Sequence, residues 1–593
     1  MLILGISAGF HDAAAAVVRD GRLVAAVEQE RLTRVKHDPS FPDRAMDVAL
    51  ATVGASAGDV DLVVLHEHPV TVLDRYLSTR LRTGLRAPRA LLLEMPAVAR
   101  TQLGTGHRVV RWFADRGCRT PEVVHSDHHT SHAAAAFFPS PFEEAAVLTL
   151  DGVGEWATAT RGSGSGAHLE TEGQVDFPHS VGLLYAAFTE YCGFRPNGGE
   201  GELMGLAPFG RPVHADAVLE HLVDLGEDGS FVLDPEWFAF TRGRTMTSSR
   251  FHRLFGGPPR PRGSEPGQRE ADLAASVQFV LEEVLLRAAA DLHRRTGRRA
   301  LCLGGGVALN CVANGRLLQD GPFDDVWVQP AAGDAGSAVG AALWAYHVVL
   351  GGDRAVGAAD GMAGAFLGPA FGSEEVRRFL DAVGTAYRHV PDPAERLGEV
   401  ADRLGAGEVV GWFAGRMEFG PRALGHRSIL ADPRSATVQG RINGLVKERA
   451  AFRPFAPAVL ASHAAEWFDD GRELPYMTFT TRVRADRRRG DGDDVTDGAP
   501  LVDRVQQVRS EVPAVTHVDH SARVQTVDAG RNPEFTSLLE EFHRRTGCPV
   551  LLNTSFNSRD EPVVCTPADA LATFRRTGLD LLVLEDVLVE ARR

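Results

Sequence analysis

Short apolar segments open the chain and alternate with turn residues. LILGIS, AAAAVV and LVAAVEQE have the length and composition of buried strands, and Asp20-Gly21 is a hairpin-turn signal between the last two. The same order returns at 145–160, where AAVLTL leads through a small polar turn into WATAT. This repetition of strand, turn and strand predicts two related α/β lobes, unless so common a motif recurs by chance.

Longer amphipathic patterns lie between and after these strands. The Arg-rich stretch 71–117 is typical of a helix with a solvated face, with a partner or ligand surface as the alternative. Residues 268–296 carry one apolar stripe at helical spacing, which predicts a long amphipathic helix. LCLGGGVALN and DDVWVQP then predict buried strands, each leading through a glycine-containing turn into a helix.

A change of composition divides the chain. Residues 351–372 are rich in glycine and alanine and predict a linker. Residues 1–350 then form a first domain, and residues 373–593 form a second α/β domain with a highly charged loop at 485–500. The length of 593 residues exceeds what one hydrophobic core usually fills, which agrees with two domains.

Composition and charge exclude several classes of protein. The 44% apolar and 24% charged residues are typical of a globular chain, and the net charge of −15 argues against a non-specific nucleic-acid binder. Six scattered cysteines without a C-x-x-C pair fit a reducing compartment. The sequence shows neither an apolar run of about 18 residues nor a signal-peptide pattern. We therefore predict a cytoplasmic protein with no membrane and no nucleic-acid partner.

A histidine pair gives the sharpest chemical signal. The alanine run after HSDHHTSH favours a helix, which places His128 and His132 at i and i+4 on one face. That spacing suits two ligands of one metal ion, with a histidine-rich surface or a helix start as the alternative. Asp151 and Asp334 each follow a predicted strand in a small-residue turn and are candidate carboxylate ligands. Two histidines with carboxylates suit Fe, Zn or Mn.

Two glycine-rich turns are able to bring backbone N–H groups close to a phosphate or a nucleoside. They are Asp151-Gly152-Val-Gly-Glu and Gly304-Gly305-Gly306-Val-Ala-Leu-Asn310. Neither is a Walker or Rossmann fingerprint, and a purely structural turn is the alternative for each. Together they favour nucleotide binding.

Cations, hydroxyls and amides concentrate in the C-terminal half. They are Arg422 in GPRALGHRS, Lys447, Arg449 and Arg453 in the stretch that ends in FRPFAP, and Asn553, Ser555 and Asn557 after PVLL. Lysine and arginine neutralise a phosphate, and hydroxyl and amide groups orient it. The set predicts an anion site, with surface ion pairs as the alternative.

At these motifs the sequence resembles the NodU/CmcH family of O-carbamoyltransferases over nearly its whole length. The matching segments are GISAGFHDAAAAVV, EQERLTRVKHD, HHTSHAAAAF, LTLDGVGEWAT, GEGELMGLAPFG, GGVALN, PAAGDAG, RMEFGPRALGHRSILADPR, FRPFAPAVL and LLNTSFNSRDEPVV. The resemblance implies a duplicated actin-like domain of the ASKHA, threonylcarbamoyl-transferase-like type. A YrdC-like α/β domain follows it.

The resemblance also implies an activity. The YrdC-like domain uses ATP and carbamoyl phosphate, with Mg, to make carbamoyladenylate, and it releases phosphate and pyrophosphate. The intermediate passes internally to the actin-like domain, where a hydroxyl of a small-molecule natural product takes the carbamoyl group. An Fe ion, with other divalent metals as alternatives, binds the intermediate. The sequence does not decide whether the protein is a monomer or a homodimer.

Individual roles follow from the resemblance. His11 matches the general base, and a neutral imidazole is suited to take a hydroxyl proton. His128, His132, Asp151 and Asp334 match the metal ligands. Lys447, Arg449, Ser555 and Asn557 match the signature K-x-R…S-x-N, with Lys447 and Ser555 as catalytic groups. Lys36 matches a ligand-contacting lysine, and Arg422, Arg453 and Arg523 match arginines around the phosphates.

Three departures and two rival functions stand beside this assignment. Glu202 replaces an expected lysine, Asp560 replaces an expected glycine, and the loop 485–500 resembles an insertion. The alternatives are a tRNA threonylcarbamoyl-transferase-type enzyme and a non-catalytic actin-like ATP-binding protein. The first is disfavoured by the charge of −15, and the second by the presence of base, metal and anion-site residues. The resemblance implies an acceptor hydroxyl on a small molecule such as a macrolide, an ansamycin or a sugar. The Ala-, Arg- and Gly-rich composition is typical of a high-GC bacterium, so a secondary metabolite is the leading expectation.

Overall fold

The computed structural model describes residues 1–83, 103–243, 245–357, 359–447, 452–489, 501–505 and 507–591. These form two compact units. The first unit comprises Met1–Thr33 and His37–Met362, and the second comprises Arg34–Lys36 and Ala363–Arg593. The division falls inside the predicted linker, and the later part of that linker packs within the second unit: Phe366 stacks on His426 with ring centroids 3.7 Å apart.

The first unit contains two five-stranded sheets. Their strands, with a separate hairpin of β9 and β10, are β1 (Leu2–Ser7), β2 (Ala14–Arg19), β3 (Arg22–Glu28), β4 (Leu62–Leu65), β5 (Glu122–His125), β6 (Glu144–Leu150), β7 (Ala157–Ser165), β8 (His168–Asp176), β9 (Val223–Leu225), β10 (Phe231–Leu233), β11 (Ala300–Gly304) and β12 (Asp325–Val328). The order is β3-β2-β1-β4-β5 in one sheet and β8-β7-β6-β11-β12 in the other.

The two sheets repeat one topology. In each, the first strand pairs antiparallel with the next strand of the chain, as in Leu4↔Val17 and Leu148↔Arg161. It also pairs in parallel with a later strand, as in Leu4↔Val63 and Leu303↔Leu148. The strand-turn-strand repetition thus corresponds to two sheets of the same topology, and the mixed α/β class is confirmed.

The helices of the first unit cover these sheets. They are α1 (Gln29–Thr33), α2 (Asp43–Thr52), α3 (Pro69–Thr83), α4 (described over 103–114), α5 (His128–Phe137), α6 (Val181–Tyr191), α7 (Glu200–Leu206), α8 (Ala215–His221), α9 (Ser249–Leu254), α10 (Gln268–Thr296), α11 (Cys311–Asp320) and α12 (Asp334–Trp344). The predicted amphipathic helix 268–296 is confirmed as α10. Close packing joins α12 to α5, because a Cβ at Gly340 would lie 1.8 Å from the carbonyl oxygen of Ser131.

The second unit contains an eight-stranded sheet with the strand order β13-β22-β21-β14-β15-β20-β16-β19. Strands β17 and β18 form a separate pair. Its strands are β13 (Arg388–His389), β14 (Val410–Phe413), β15 (Arg427–Ala431), β16 (Ala456–Leu460), β17 (Thr480–Arg482), β18 (Ser521–Arg523), β19 (Gln525–Val527), β20 (Val550–Ser555), β21 (Leu581–Leu584) and β22 (Val587–Glu590). Its helices are α13 (Ser373–Ala382), α14 (Pro393–Gly405), α15 (Val438–Arg441), α16 (Ala464–Trp467), α17 (Leu501–Val505), α18 (Pro533–Thr546) and α19 (Pro567–Arg576).

Two sequence predictions lie partly outside the described residues. Of the Arg-rich stretch 71–117, residues 84–102 are not described, and the remainder contains α3 and α4. Of the charged loop 485–500, residues 490–500 are not described. None of the helices in the described ranges combines the length and the apolar content that a membrane crossing requires.

Candidate functional site

Sheet topology brings the N-terminal candidates to shared edges. In the second sheet, β6, β11 and β12 are parallel, so Asp151 after β6, Gly305 after β11 and Asp334 beyond β12 lie at the same edge. In the first sheet, the parallel strands β1, β4 and β5 are followed by His11, by Glu67 and by His128. Loops at the carboxyl ends of parallel strands are the usual place for a functional site in α/β folds.

The histidine pair lies in the first two turns of α5. His128 and His132 are buried, and their Nε2 atoms lie 3.1 Å apart. The neighbouring His129 points elsewhere, with Nδ1 2.7 Å from the hydroxyl of Thr149. Burial lowers the pKa of His129 to about 3, so this imidazole is neutral. The i, i+4 spacing therefore selects His128 and His132 from the three histidines of the motif.

Two carboxylates complete the four-ligand cluster of His128, His132, Asp151 and Asp334. The Nε2 atom of His132 is 2.7 Å from Asp151 Oδ2 and 3.6 Å from Asp334 Oδ1. The corresponding distances from His128 Nε2 are 3.5 and 3.7 Å. Metal–ligand bonds of about 2.0–2.2 Å place neighbouring ligand atoms of one ion roughly 3 Å apart or slightly more. The spacing therefore fits a single ion.

The chemistry of these side chains also fits a cation. Asp151 Oδ2 is buried and has no hydrogen bond of good geometry, although His132 Nε2 lies 2.7 Å away. Burial opposes charge at all four groups, but their mutual attraction outweighs it. That attraction raises the pKa values of both imidazoles and lowers those of both carboxyls. Two nitrogen and two oxygen donors suit Fe(II), Zn or Mn.

Neighbouring groups fix the orientation of the His128 ring. A Cβ at Gly154 would lie 2.9 Å from both Cβ and Cδ2 of His128, so glycine leaves the space that the ring occupies. The carboxylate of Glu155 accepts the backbone N–H of His128 at 2.9 Å, which satisfies a free donor at the start of α5, and it accepts that of His68 at 2.9 Å. On α12, the Ser337 hydroxyl lies 3.4 Å from His132 Nδ1.

Sequence reasoning missed two of these supporting carboxylates. Glu155 closes the DGVGE turn, but nothing in the local sequence shows that it caps a helix 27 residues away. Glu67 follows β4, with Oε2 3.8 Å from His128 Nδ1, and burial raises its pKa to about 7. The only available signal was an acidic residue at the end of a short apolar run.

His11 belongs to a chain of three polar side chains. Its Nδ1 is 3.0 Å from Asp12 Oδ2, and Asp12 Oδ1 is 2.8 Å from His37 Nδ1. Burial lowers the pKa of His11, but the Asp12 hydrogen bond and the charges of Asp334 and Asp151 outweigh it and raise that pKa to about 9. A cation held by the four-ligand cluster would offset those two charges and favour the neutral imidazole.

Of the glycine-turn candidates, Gly152 and Gly306 lie beside the Asp151 carboxylate, and Gly305 and Asn310 make structural contacts. Gly152 donates its N–H to Asp151 Oδ1 at 2.6 Å, and a Cβ at Gly306 would lie 3.1 Å from the same oxygen. Gly305 has φ +86°, and a Cβ there would collide with the Leu150 carbonyl. The backbone at this position therefore requires glycine. The amide of Asn310 caps α11 and exchanges hydrogen bonds with Gln278 at 2.8 and 3.2 Å. Its role as a ligand contact stays a prediction.

In the second unit, Lys447, Ser555 and Asn557 form what we call the Lys447 cluster. Lys447 is buried, and its Nζ donates to the Asn557 carbonyl and to Asn557 Oδ1, both at 2.9 Å. It also donates to the carbonyl and hydroxyl oxygens of Ser555. The Ser555 hydroxyl donates to Asn557 Oδ1 at 2.6 Å. The three residues of the K…S-x-N pattern thus meet in space.

The predicted arginines lie at the same edge of the eight-stranded sheet. Parallel pairing of β16 with β19, and antiparallel pairing of β20 with both β15 and β16, set the starts of β15, β16 and β19 beside the end of β20. Arg422 lies in the loop before β15, Arg453 lies just before β16, Arg523 lies two residues before β19, and Ser555 ends β20. Arg449 is outside the described residues.

Two buried residues support this edge through contacts that the sequence did not show. The amide of Asn553 donates to the Ala423 carbonyl at 3.2 Å and to Gln525 at 2.8 Å, so it ties β20 to neighbouring segments. Glu418 accepts the backbone N–H groups of Leu424 and His426 at 2.7 and 2.8 Å. Glu418 therefore fixes the shape of the loop that contains Arg422. Nothing in the sequence shows that this glutamate accepts the N–H group of a residue six positions later.

The remaining candidates and departures lie on turns and a short helix. Lys36 is part of the second unit, and its Nζ donates to the carbonyl of Arg559 at 3.2 Å, two residues after Asn557. Asp560 is exposed in the following turn. Glu202 lies in the first turn of α7.

Two family models together match most of the chain. Residues 2–343 match the family described as Carbamoyltransferase N-terminus, and residues 401–591 match Carbamoyltransferase C-terminus. An uncharacterized protein of Synechocystis sp. is 48% identical over 99% of this chain and 96% of its own length. Nodulation protein NolNO of Sinorhizobium fredii is 36% identical over 100% of this chain and 83% of its own length.

Among solved structures, HypF from T. kodakarensis aligns with a TM-score of 0.31 and 14% identity, covering 59% of this chain and 48% of HypF. The two family matches occupy both units, and they include every candidate residue of the four-ligand and Lys447 clusters. The chain therefore belongs to the carbamoyltransferase family, and it is a carbamoyltransferase.

Proposed function

We propose that this enzyme makes carbamoyladenylate from ATP and carbamoyl phosphate in its second unit and transfers the carbamoyl group to a hydroxyl in its first unit. In this assignment the first unit is an actin-like transfer domain and the second is a YrdC-like domain. The observation that carries the proposal is the Lys447 cluster at the sheet edge to which Arg422, Arg453 and Arg523 belong.

The second unit has the groups that an adenylation site requires. Water cleaves carbamoyl phosphate to carbamate and phosphate, and a carbamate oxygen then attacks the α-phosphorus of ATP while pyrophosphate leaves. Both substrates and both leaving groups are anions, so a buried ammonium and three guanidinium groups lower the energy of their approach. Ser555 and Asn557 hold the Lys447 ammonium in place through the hydrogen bonds described above.

The first unit has the groups for the transfer step. The acceptor oxygen attacks the carbamoyl carbon, its proton moves to Nε2 of His11, and the bond from that carbon to the AMP oxygen breaks, so that AMP leaves with the electron pair. Asp12 accepts from Nδ1 of His11 and leaves Nε2 as the basic atom. When bound at the four-ligand cluster, a metal ion supplies Lewis-acid stabilisation of negative charge.

The acceptor is proposed to be a hydroxylated small molecule of secondary metabolism. The net charge of −15 supports this over tRNA, because a polyanion would require a basic surface. Mass spectrometry of a panel of macrolides, ansamycins, aminosugars and tRNA, each incubated with ATP and carbamoyl phosphate, identifies the acceptor. Modification of tRNA alone would replace this acceptor proposal with the threonylcarbamoyl-transferase alternative.

Lys447→Met tests the adenylation site. We expect pyrophosphate release that depends on carbamoyl phosphate to fall by at least about 100-fold, the scale of losing one preorganised charge-stabilising donor. Synthetic carbamoyladenylate should restore product formation, because the first unit is unaltered. Undiminished pyrophosphate release would contradict the assignment of Lys447.

The matched control is Arg441→Met. Arg441 is a cation on α15, six residues before Lys447, and it pairs with Asp580 at 2.9 Å rather than with the Lys447 cluster. This variant loses one positive charge from the same part of the unit and should retain pyrophosphate release. Equal losses in both variants would show that the effect comes from general charge or folding.

A further inference from the structure

The side chains of His11, Asp12 and His37 form a continuous hydrogen-bonded series in the first unit. Both imidazoles present Nδ1 to the same carboxylate, at 3.0 Å from His11 and 2.8 Å from His37, and each binds a different oxygen. All three side chains are 28–29% exposed, so the series is partly accessible to solvent rather than fully buried.

The backbone holds this series in an unusual conformation. Asp12 has φ +58° and His37 has φ +55°, both in the left-handed region that non-glycine residues seldom adopt. The Glu30 carboxylate accepts the backbone N–H of His37 at 2.8 Å. A Cβ at Gly198 would lie 3.1 Å from His37 Nε2, so that glycine leaves room for the imidazole. Contacts from three segments thus fix where His37 points.

We propose that Asp12 and His37 are positioning residues for His11 in carbamoyl transfer. Asp12 binds His11 Nδ1, and His37 holds the other oxygen of Asp12 so that the carboxylate cannot rotate away. This inference rests on the proposed function, in which His11 accepts the proton of the acceptor hydroxyl.

Tautomer control is the physical basis of the inference. An imidazole that donates from Nδ1 to a carboxylate carries its lone pair on Nε2, the atom that must take the proton. As the proton arrives, the ring becomes an imidazolium, and the Asp12 charge stabilises it. His37 supplies no proton in this step, because its Nδ1 faces Asp12 and its contribution is to the geometry of that carboxylate.

The groups around His11 define the expected pH dependence. Asp12 is its neighbour in the chain, and Asp334 on α12 and Asp151 after β6 also raise the pKa of His11. Transfer requires the neutral base, so its rate falls as pH drops through the pKa of His11. Loss of the Asp12 charge removes a hydrogen bond and an attraction that favour the protonated ring, so this midpoint moves to lower pH.

The test uses Asp12→Asn and His37→Asn in the full-length, metal-loaded enzyme. Asparagine tolerates left-handed backbone better than most residues, so both changes keep the local fold. In D12N, the amide that replaces the carboxylate retains only one acceptor oxygen for the two imidazoles. We expect kcat for transfer from supplied carbamoyladenylate to fall about 10- to 100-fold in D12N, the range for removing a group that orients a functional histidine. The acceptor KM and the release of pyrophosphate should stay unchanged.

The double variant D12N/H37N shows whether His37 acts through Asp12 or affects transfer independently of it. If His37 acts through Asp12, adding His37→Asn to D12N causes no further loss, and the single H37N variant slows transfer less than D12N does. Multiplied losses in the double variant, or an unmoved pH midpoint in D12N, would overturn the proposal. Asp20→Asn is the control, because Asp20 is an aspartate that also has positive φ but is exposed to solvent, at the β2–β3 turn.

A His11→Asn variant distinguishes failure of this inference from failure of the proposed function. If H11N transfers at the wild-type rate, the general-base assignment itself is wrong. If H11N is slow while D12N and H37N are normal, His11 remains the base and the positioning role is removed.

Discussion

At the scale of single residues, Gly154 is required by the ring of His128. A Gly154→Ala Cβ would lie 2.9 Å from two atoms of that ring, so the imidazole must move out of the four-ligand cluster. We expect bound metal per chain to fall strongly, with a loss of stability of about 1–3 kcal/mol, the usual cost of overpacking. Elemental analysis of the purified variant measures the metal, and thermal unfolding measures the stability.

Gly152→Ala is the matched control for metal content. Gly152 lies in the same turn, but a Cβ there meets no atom within 4 Å. This variant should retain its metal. Full metal content in G154A, or equal loss in both variants, would contradict the view that Gly154 acts by making space for His128.

At the scale of single elements, the loop between β14 and β15 depends on the buried carboxylate of Glu418. Its Oε1 accepts backbone N–H groups at 2.7, 2.8 and 3.2 Å, from Leu424, His426 and Arg427. Glu418→Ala leaves these donors without their acceptor, at a cost of about 1–3 kcal/mol for a buried group. We expect the loop to lose its shape, Arg422 to lose its position, and carbamoyl-phosphate-dependent pyrophosphate release to fall.

The control for this loop is Glu374→Ala on α13. The side chain of Glu374 is 78% exposed and pairs only loosely with Arg378, at 3.8 Å. Pyrophosphate release in this variant should be normal. If the Glu418 variant also keeps its pyrophosphate release, then the loop does not contribute to the anion site.

Local sequence patterns predicted the helices and the histidine spacing, whereas the short strands and the order of the sheets depend on contacts between distant parts of the chain. The apolar stripe of α10 set its bounds, and i, i+4 spacing placed His128 beside His132, because both signals are contained within one helix. The sequence did not reveal β4 or β5, which are four-residue strands that gain stability only by pairing with β1 and with each other. Nor did it show the order of the eight-stranded sheet, since strands far apart in sequence pair there.

The same limit explains the supporting residues of the sites. Glu155 and Glu418 bind backbone N–H groups, and such contacts have no side-chain pattern of their own. The amide nitrogen of Asn553 binds Ala423 and Gln525, contacts that the sequence did not show, and its predicted ligand contact stays a prediction. Residue type indicates what a group is able to bind, and only the fold shows which partner is within reach.

At the scale of the whole molecule, the candidate chemistry is divided between the two units. The four-ligand cluster and His11 lie in the first unit, and the Lys447 cluster lies in the second. Each unit has its own sheets and its own buried core. The two half-reactions should therefore respond separately to changes at either cluster.

Metal removal from the full-length enzyme tests this separation. After treatment with a chelator and return of Mg²⁺ alone, transfer from supplied carbamoyladenylate should be lost if the four-ligand cluster holds the functional ion as proposed. Pyrophosphate release that depends on carbamoyl phosphate should continue, because Lys447, Ser555 and Asn557 belong to the second unit and are not among the four proposed metal ligands. Adding Fe(II), Zn²⁺ or Mn²⁺ in turn should restore transfer with one of them and so identify the metal. Loss of both half-reactions on chelation, with neither restored, would show that the units do not work as separate sites.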